Sequence, residues 1–582
     1  MPPVTSDRSA AALIARFLRA RGVDRVFALC GGHIMPIWMR VADEGIRIID
    51  VRDERAAVYM AHAHAELTGS LGVALITAGP GVTNAMTGIA NAHVARSPIL
   101  ILSGLPPQPQ ENRGALQDVV HTAFVAPLTR YARTVRDPSL VLAELAEAAN
   151  RAQGAAGGEP GPAYLDFPVD TQRADAPEAL VLPEFFASPP RVATLPDPER
   201  IAAAVELLWS ARRPLVITGR GARGADRVLV RFLDALGALH LDTGESRGLV
   251  PDNHPSVVSA VRGAVMGDAD LVLTLGRRLD FQLAYGSPAV YGAARFVRIA
   301  DVASELRDNR PGEIGIFGSI APTLEALLHA AGDRVPGTDR AWATRHRAAH
   351  EERATRFITM LREAPDGSDG RMHPNRLLAA LRDALPPESI AVVDGGDFLS
   401  FARVAIAAQT MLDPGSLGCI GIGTPFGIGA ALACPDRPVA VLTGDGAFGF
   451  NAMELDTAVR HRVPILVVIA NNGSWAIEVH DQRETHGRVV GTELRFSDYA
   501  GMARALGMHA QRVERAAELP AAIADALAKR PALLDVVVTP EAVSADGKSG
   551  LAWVPHLQPL EAWDEAERRF RASAGVVATA GV

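Results

Sequence analysis

The sequence predicts an α/β protein: three consecutive Rossmann-like domains, each on a parallel sheet, followed by a C-terminal tail. Its 582 residues suffice for about three to four domains at roughly 150 residues each. Runs that are apolar at nearly every position, such as Ile99-Leu-Ile-Leu-Ser103, Leu271-Val-Leu-Thr-Leu275 and Val463-Pro-Ile-Leu-Val-Val-Ile-Ala470, alternate with helical stretches. Strands of that kind are covered on both faces, as in sheets built from βαβ units. Glycine-rich turns close several runs, at the strand ends where such sheets bind ligands.

In order along the chain, residues 1–180 form the first unit. Ser9 to Leu18 reads as an amphipathic helix, Arg25 to Cys30 as a strand ending at the Gly31-Gly32 turn, and Gly72 to Thr77 and Ile99 to Ser103 as buried strands. A Gly/Pro-rich loop from Gly154 to Pro162 precedes the strand Ala163-Tyr-Leu-Asp-Phe167, and a Pro- and Ala-rich stretch at 171–197 reads as a linker. The second unit, 198–335, has strands at Pro214 to Thr218, Leu271 to Leu275 and Phe296 to Ile299. A polar, Arg-rich connection at 336–370 leads to the third unit, 371–542, which repeats the layout of the first. The tail, 543–582, carries Trp553 and Trp563 in a Pro-punctuated segment too short for its own core. It must pack elsewhere, as a lid over a site or as a docked tail.

With 48% hydrophobic and 21% charged residues the chain can bury substantial cores. A net charge of −8 and a pI near 6.1 argue against a nucleic-acid partner. Cys30, Cys419 and Cys434 form no metal or disulfide spacing. No signal peptide is evident, and no apolar run reaches the ~18 residues of a membrane span. A cytoplasmic protein is the expectation.

Two loops carry chemistry of their own. Gly444-Asp445-Gly446 follows the apolar run Val439-Ala-Val-Leu-Thr443, and Asn471-Asn472-Gly473 follows the run ending at Ala470. Asp445 and Asn472 are 27 residues apart, each at a strand end. A carboxylate and an amide oxygen meeting there suit a hard octahedral cation such as Mg²⁺, which typically also holds phosphate oxygens. The alternative is two unrelated polar turns.

Further motifs accompany them: Val51-Arg-Asp-Glu54 ahead of a helix, Thr77-Ala-Gly79-Pro80-Gly81-Val-Thr-Asn84 after a strand, and Leu417-Gly418-Cys419-Ile420-Gly421-Ile-Gly423 ahead of the metal loop. Together they resemble the acetolactate-synthase-like superfamily of thiamine-diphosphate enzymes, over roughly residues 5–540. The resemblance implies a pyrimidine-binding, a central and a diphosphate-binding domain, in that order. It implies that Glu54 hydrogen-bonds N1′ of the cofactor's aminopyrimidine; protonating that nitrogen favours the imino tautomer that can deprotonate the thiazolium. It places Gly79, Pro80, Asn84, Gly444 and Gly446 against the cofactor and the Gly418 carbonyl on its 4′-amino group. Ile420 stands where a bulky apolar residue, usually Met, bends the cofactor. The resemblance makes Asp445, Asn472 and the Ser474 carbonyl the Mg²⁺ ligands. Gln117 matches a glutamine facing the reacting centre, with a solvated loop amide as the plainer reading; His33 is a further residue that could face it. The site is implied to be shared between two subunits, so a homodimer is the minimum and a homotetramer usual.

The central unit offers a competing reading. Gly219-Arg-Gly221-Ala-Arg-Gly224, with Asp242 23 residues after Gly219, is a passable dinucleotide fingerprint and points to an FAD or NAD oxidoreductase. In the superfamily this domain binds FAD or the ADP part of coenzyme A. Arg247 to Pro255 and Gly276 to Gly286 look most like the 2-hydroxyacyl-CoA lyase and oxalyl-CoA decarboxylase branch, which implies Arg220, Arg278 and Arg403 as CoA contacts. The stretch Trp475 to Gln482 departs from the acetolactate synthase pattern. Glu493, between the metal loop and the next helix, is a candidate to take the substrate hydroxyl proton and return it; a solvated helix-start acid is the alternative. The expected activity is thiamine-diphosphate- and Mg²⁺-dependent, reversible cleavage of a 2-hydroxyacyl-CoA to formyl-CoA and an aldehyde or ketone. An acetolactate-synthase-like carboligase or an oxalyl-CoA decarboxylase is the alternative within the superfamily.

Overall fold

The computed structural model of the protein describes residues 6–155, 158–189 and 192–544, with Glu565 and Arg569 beyond them. Strands β1 (Arg25–Ala28), β2 (Arg47–Asp50), β3 (Gly72–Ile76), β4 (Ile99–Leu105), β5 (Tyr131–Thr134) and β6 (Ala163–Pro168) form a first sheet in the order β2-β1-β3-β4-β6-β5. A central sheet has β7 (Pro214–Thr218), β8 (Leu239–Leu241), β9 (Leu271–Leu275), β10 (Arg295–Ala300) and β11 (Ile314–Phe317) in the order β11-β10-β9-β7-β8. The third has β12 (Ile390–Asp394), β13 (Thr410–Leu412), β14 (Val439–Gly444), β15 (Ile465–Asn471), β16 (His509–Val513) and β17 (Ala532–Val537) in the order β13-β12-β14-β15-β17-β16. Every pairing is parallel. The first and third sheets follow the same path, as the repeated layout predicts. The continuous apolar runs are interior strands: β3, β9 and β15 are buried at every position.

Each sheet grows to one side from its first strand and then resumes on the other. The reversal lies between β1 and β3, β7 and β9, and β12 and β14. Loops diverge there and leave a crevice at the carboxyl ends of the strands.

The structure corrects the reading of 336–370 as a plain connection: Arg340–Glu363 is a 24-residue helix. Asp339 caps it, accepting from the Ala341 N–H at 2.9 Å, and only Trp342, His346 and Leu361 are buried. A helix polar almost all round carries no apolar stripe to read; pairs such as Arg347–Glu351 (2.9 Å) line its surface instead. The 171–197 stretch contains a short helix, Pro183–Phe186. Trp553 and Trp563 lie outside the described residues. Among the described residues no helix is long and apolar enough to cross a membrane.

The first and third units meet in one core. The Glu54–Thr68 helix lies along the Gly423–Ala433 helix, so close that a Cβ on Gly429 would stand 2.5 Å from the Met60 carbonyl oxygen. Tyr59 and His62 set their rings edge-on to Phe426, at 5.9 and 4.9 Å between centroids. One continuous cluster of buried apolar residues includes Tyr59, Met60, Phe426 and Val441.

Candidate active site

Register brings the third unit's two loops together. Gly444 pairs with Ala470 across β14 and β15, so Asp445 and Asn471 leave the sheet side by side. Asp445 is buried and accepts the Gly473 N–H at 3.0 Å. Burial pushes its carboxyl up to about 7, the acceptor bonds from backbone amides only partly opposing it. Among the described residues it has no ion-pair partner. Asn471 is committed to structure, its amide donating to the Ser497 carbonyl (3.0 Å) and to Asp535 (2.9 Å). Asn472 Oδ1, by contrast, accepts from Ser474 N and Oγ at 3.1 Å, so the second Asn of the pair is the one held beside the loop. One buried carboxylate with an amide oxygen fits a hard cation that also takes phosphate oxygens, because Asp445 and a diphosphate cannot face each other without a cation between them. Trp475 packs on Gly446, where a Cβ would lie 2.6 Å from the indole. Ser474 and Glu493 form an isolated antiparallel bridge, and Leu494 N donates to the Gly473 carbonyl at 2.7 Å. The Glu493 side chain is exposed there.

The Gly418–Gly423 turn hangs from Asp394 at the end of β12, which accepts from Gly421 N (3.0 Å) and Gly423 N (2.8 Å). Asn451 Nδ2 donates to the Gly421 carbonyl at 2.6 Å. Ile420 is thereby held half-buried and Gly418 exposed, in a left-handed turn with φ 69°. Sequence reasoning missed Asp394 and Asn451; the acid closing the apolar run Ile390 to Val393 was the available signal.

In the first unit Glu54 opens its helix, after Asp53 caps it by accepting the Arg55 N–H at 2.8 Å. Glu54 is 5% exposed and accepts from Asn84 Nδ2 at 3.1 Å. Gly81 faces it, leaving only 3.3 Å between a Cβ there and Glu54 Oε1. Gly79 stands at φ 61°, against Gln117, and its N–H donates to His121 Nε2 at 2.8 Å. His121 Nδ1 in turn donates to Asp166, at 3.0 Å. Pro80 is exposed at the start of the following helix. His33 Nδ1 meets Gln117 Oε1 at 2.8 Å. Among the described residues the hydroxyl of Thr77 is buried without a partner. That orphaned hydroxyl near Glu54, and the acid itself, fit a polar, nitrogen-bearing ring. His121 and Asp166 went unread in the sequence, although an acid inside the apolar run Ala163 to Phe167 was a visible signal.

In the central unit Gly219 and Gly221 of the fingerprint interlock with the loop of Gly276. A Cβ on Gly219 would lie 2.5 Å from the Gly276 carbonyl oxygen, and one on Gly221 2.8 Å from the Gly276 Cα. These glycines serve loop-on-loop packing at the strand reversal. Asp242, the fingerprint's acid, is paired with Arg247 at 2.8 Å. Arg220 is ion-paired with Glu66 of the first unit, together with Arg223. Burial alone would raise Glu66, but the two guanidiniums hold it well below the usual carboxylate range. Arg278, on the neighbouring loop, stands 3.9 Å from Glu159. Arg403 lies apart from both, paired with Asp413 at 3.1 Å, while its carbonyl accepts from Arg247.

Comparison with known proteins matches residues 8–124 to the thiamine pyrophosphate enzyme N-terminal TPP binding domain, 201–327 to the central domain and 395–536 to the C-terminal TPP binding domain of the same family. The chain belongs to the thiamine pyrophosphate enzyme family. Within that family it is acetolactate-synthase-like. It is 36% identical over 558 residues to the acetolactate synthase large subunit IlvG of Mycobacterium tuberculosis, covering 93% of this chain and 97% of that protein. It is 33% identical to 2-hydroxyacyl-CoA lyase 2 of Homo sapiens over 85% of this chain and 83% of that protein. It is 30% identical to 2-hydroxyacyl-CoA lyase of Oryza sativa subsp. japonica over 94% and 98%. Glu54, Gly79 and Asn84 lie within the first of the two TPP binding domains, and Gly418, Asp445 and Asn472 within the other.

Glu454 adds a pH signature at this seam. It is buried, accepts from the Arg52 N–H at 3.0 Å and from Thr457 Oγ1 at 2.7 Å, and burial pushes it from 4.5 up to about 7. The folded state therefore binds a proton that the unfolded state releases, so the contribution is present below 4.5 and lost as pH rises through about 7. Cofactor-free protein is expected to lose melting temperature across that window, and Glu454→Gln to flatten the fall. Parallel curves for wild type and variant in thermal scans would refute this.

Proposed function

We propose that the protein is a thiamine-diphosphate- and Mg²⁺-dependent lyase that reversibly cleaves a 2-hydroxyacyl-CoA to formyl-CoA and an aldehyde or ketone. Arg220 and Arg278 carry the substrate assignment. They come from adjacent loops at the strand reversal of the central sheet, a place suited to the ADP end of coenzyme A. Arg403, at the seam with the third unit, would serve as an outer contact. Relatives named 2-hydroxyacyl-CoA lyase at 33% and 30% identity favour the same reading, while the 36% match to an acetolactate synthase supports the carboligase alternative.

Thiamine diphosphate, when bound, supplies a nucleophilic carbon and an electron sink beside the bond that breaks. Asp445 Oδ, Asn472 Oδ1 and the Ser474 carbonyl would hold Mg²⁺ against its phosphates. Gly444 and Gly446 let the backbone approach. The Gly418 carbonyl and Ile420 would orient the aminopyrimidine, with Gly79, Pro80 and Asn84 closing on it from the first unit. Glu54 would hold and return the proton at N1′. Glu493 would have to turn inward to reach the substrate hydroxyl.

The two halves belong to different subunits in this reading, in a cytoplasmic homodimer or homotetramer. Leu116, Val119 and Val120 beside Gln117, and Leu417, Phe450 and Met453 beside the cofactor turn, are exposed apolar residues in the single chain; a second copy would cover them. The test of substrate is incubation with thiamine diphosphate, Mg²⁺ and a panel of 2-hydroxyacyl-CoAs, oxalyl-CoA and pyruvate. Formyl-CoA with a carbonyl product is expected. Acetolactate from pyruvate with no formyl-CoA would overturn the assignment.

A further inference from the structure

We propose that Glu66 is a built-in counter-anion of the central crevice. It offsets one of the two guanidiniums of Arg220 and Arg223, and so limits how tightly the crevice holds a phosphate anion. The inference rests on the reading of Arg220 as a phosphate contact, and adds a residue of the first unit that tunes it.

Glu66 stands in the last turn of the Glu54–Thr68 helix, its side chain only 5% exposed. That helix is closely seated. A Cβ on Gly72 would overlap the Ala61 carbonyl oxygen, and one on Gly88 would lie 2.8 Å from Val58. Its end delivers a carboxylate to the 219–224 loop of the central unit, where Arg220 and Arg223 both ion-pair with it. Among the described residues no other acid ion-pairs with either arginine. His62, one helical turn earlier, meets the same carboxylate at 3.1 Å. Against the burial that would raise it, the two guanidiniums hold Glu66 well below the usual carboxylate range, so it is charged at neutral pH.

The two arginines differ in what they have to spare. Arg223 is tied to structure: Nε donates to the Glu245 carbonyl at 2.8 Å and Nη1 to the Glu66 carbonyl at 3.3 Å. Arg220 lies two residues after β7, at the strand reversal, and is 20% exposed. It reaches Glu66 through Nη1. Among the described residues its Nε and Nη2 have no partner, which leaves a fork suited to phosphate oxygens.

Two guanidiniums against one carboxylate leave a single positive charge in excess. An arriving phosphate therefore meets much less attraction than two bare guanidiniums would exert. Affinity lost in this way appears chiefly as faster release, which suits a site that must free a CoA product at each turnover. Arg278 follows the same pattern, 3.9 Å from Glu159, another acid of the first unit.

The test is a charge cycle, read by calorimetric titration of ADP into the holoenzyme with thiamine diphosphate and Mg²⁺ saturating. Glu66→Gln should bind ADP about tenfold more tightly than wild type, the effect of one elementary charge within roughly 12 Å at the protein surface. Arg223→Gln should bind about tenfold more weakly, because Glu66 then neutralises Arg220. The double variant restores the wild-type balance of charge, so its affinity should return to within about threefold of wild type. Weaker binding in Glu66→Gln would make the carboxylate an orienting group for Arg220 and overturn the proposal. Equal affinity in all four proteins, as for an ion pair that serves only the seam between units, overturns it too, as does no ADP binding in any of them. If Glu66→Gln does not fold, the charge-balanced double variant decides against Arg223→Gln: no recovery of affinity overturns the proposal. Failure of the lyase reading shows separately, as wild type that follows this binding pattern and cleaves no 2-hydroxyacyl-CoA.

Discussion

Glu54→Gln should lower turnover by about 10³-fold, within the range for losing a positioned acid–base group, while leaving the affinity for thiamine diphosphate nearly unchanged. Glutamine has the volume of glutamate, so the contacts with Asn84 and Gly81 survive the exchange. Its amide cannot hold and return a proton at N1′. Binding should persist because Asp445 and Asn472, in the third unit, are untouched. Calorimetric titration alongside steady-state rates separates the two effects. A Glu54→Gln enzyme within tenfold of wild type would remove Glu54 from the proton relay.

Asp445→Asn should abolish metal-dependent cofactor binding. In wild type a cation bound there would offset the burial that pushes Asp445 up to about 7. Ligand at 100 times Kd then stabilises the fold by about 2.7 kcal/mol. Asparagine keeps the shape and loses the charge, so thiamine diphosphate with Mg²⁺ should no longer raise the melting temperature. At pH 8 the cofactor-free variant should be at least as stable as wild type, because the buried negative charge is gone. Retained stabilisation by Mg²⁺ and thiamine diphosphate would place the metal elsewhere.

Much of this could be read from the sequence because interior parallel strands declare themselves. β14 and β15 are apolar at nearly every position, and the acid and amide at their ends stand out. Edge strands were harder. β5, Tyr131–Thr134, and β16, His509–Val513, are mostly half-buried and mix charged with apolar residues. The Arg340–Glu363 helix buries three side chains in 24 residues and so has no stripe to detect. In the site, residues inside motifs were legible, whereas those that support motifs from a distance were not. Asp394 holds the turn of Ile420, and His121 with Asp166 holds Gly79, through contacts 27, 42 and 45 residues apart in sequence. In the fingerprint of the central unit, Gly219 and Gly221 are required for Gly276 to approach, so packing accounts for two of its three glycines.

In the proposed enzyme one thiamine diphosphate is held between Glu54 of one subunit and Asp445 of another. Co-expressing Glu54→Gln and Asp445→Asn chains with different tags, and isolating the hybrid, tests it most directly. In a symmetric dimer the hybrid has one site with both residues intact and one with neither, so two inactive parents should yield about half of wild-type activity. A hybrid as inactive as its parents would place both residues' work within a single chain and contradict the shared site.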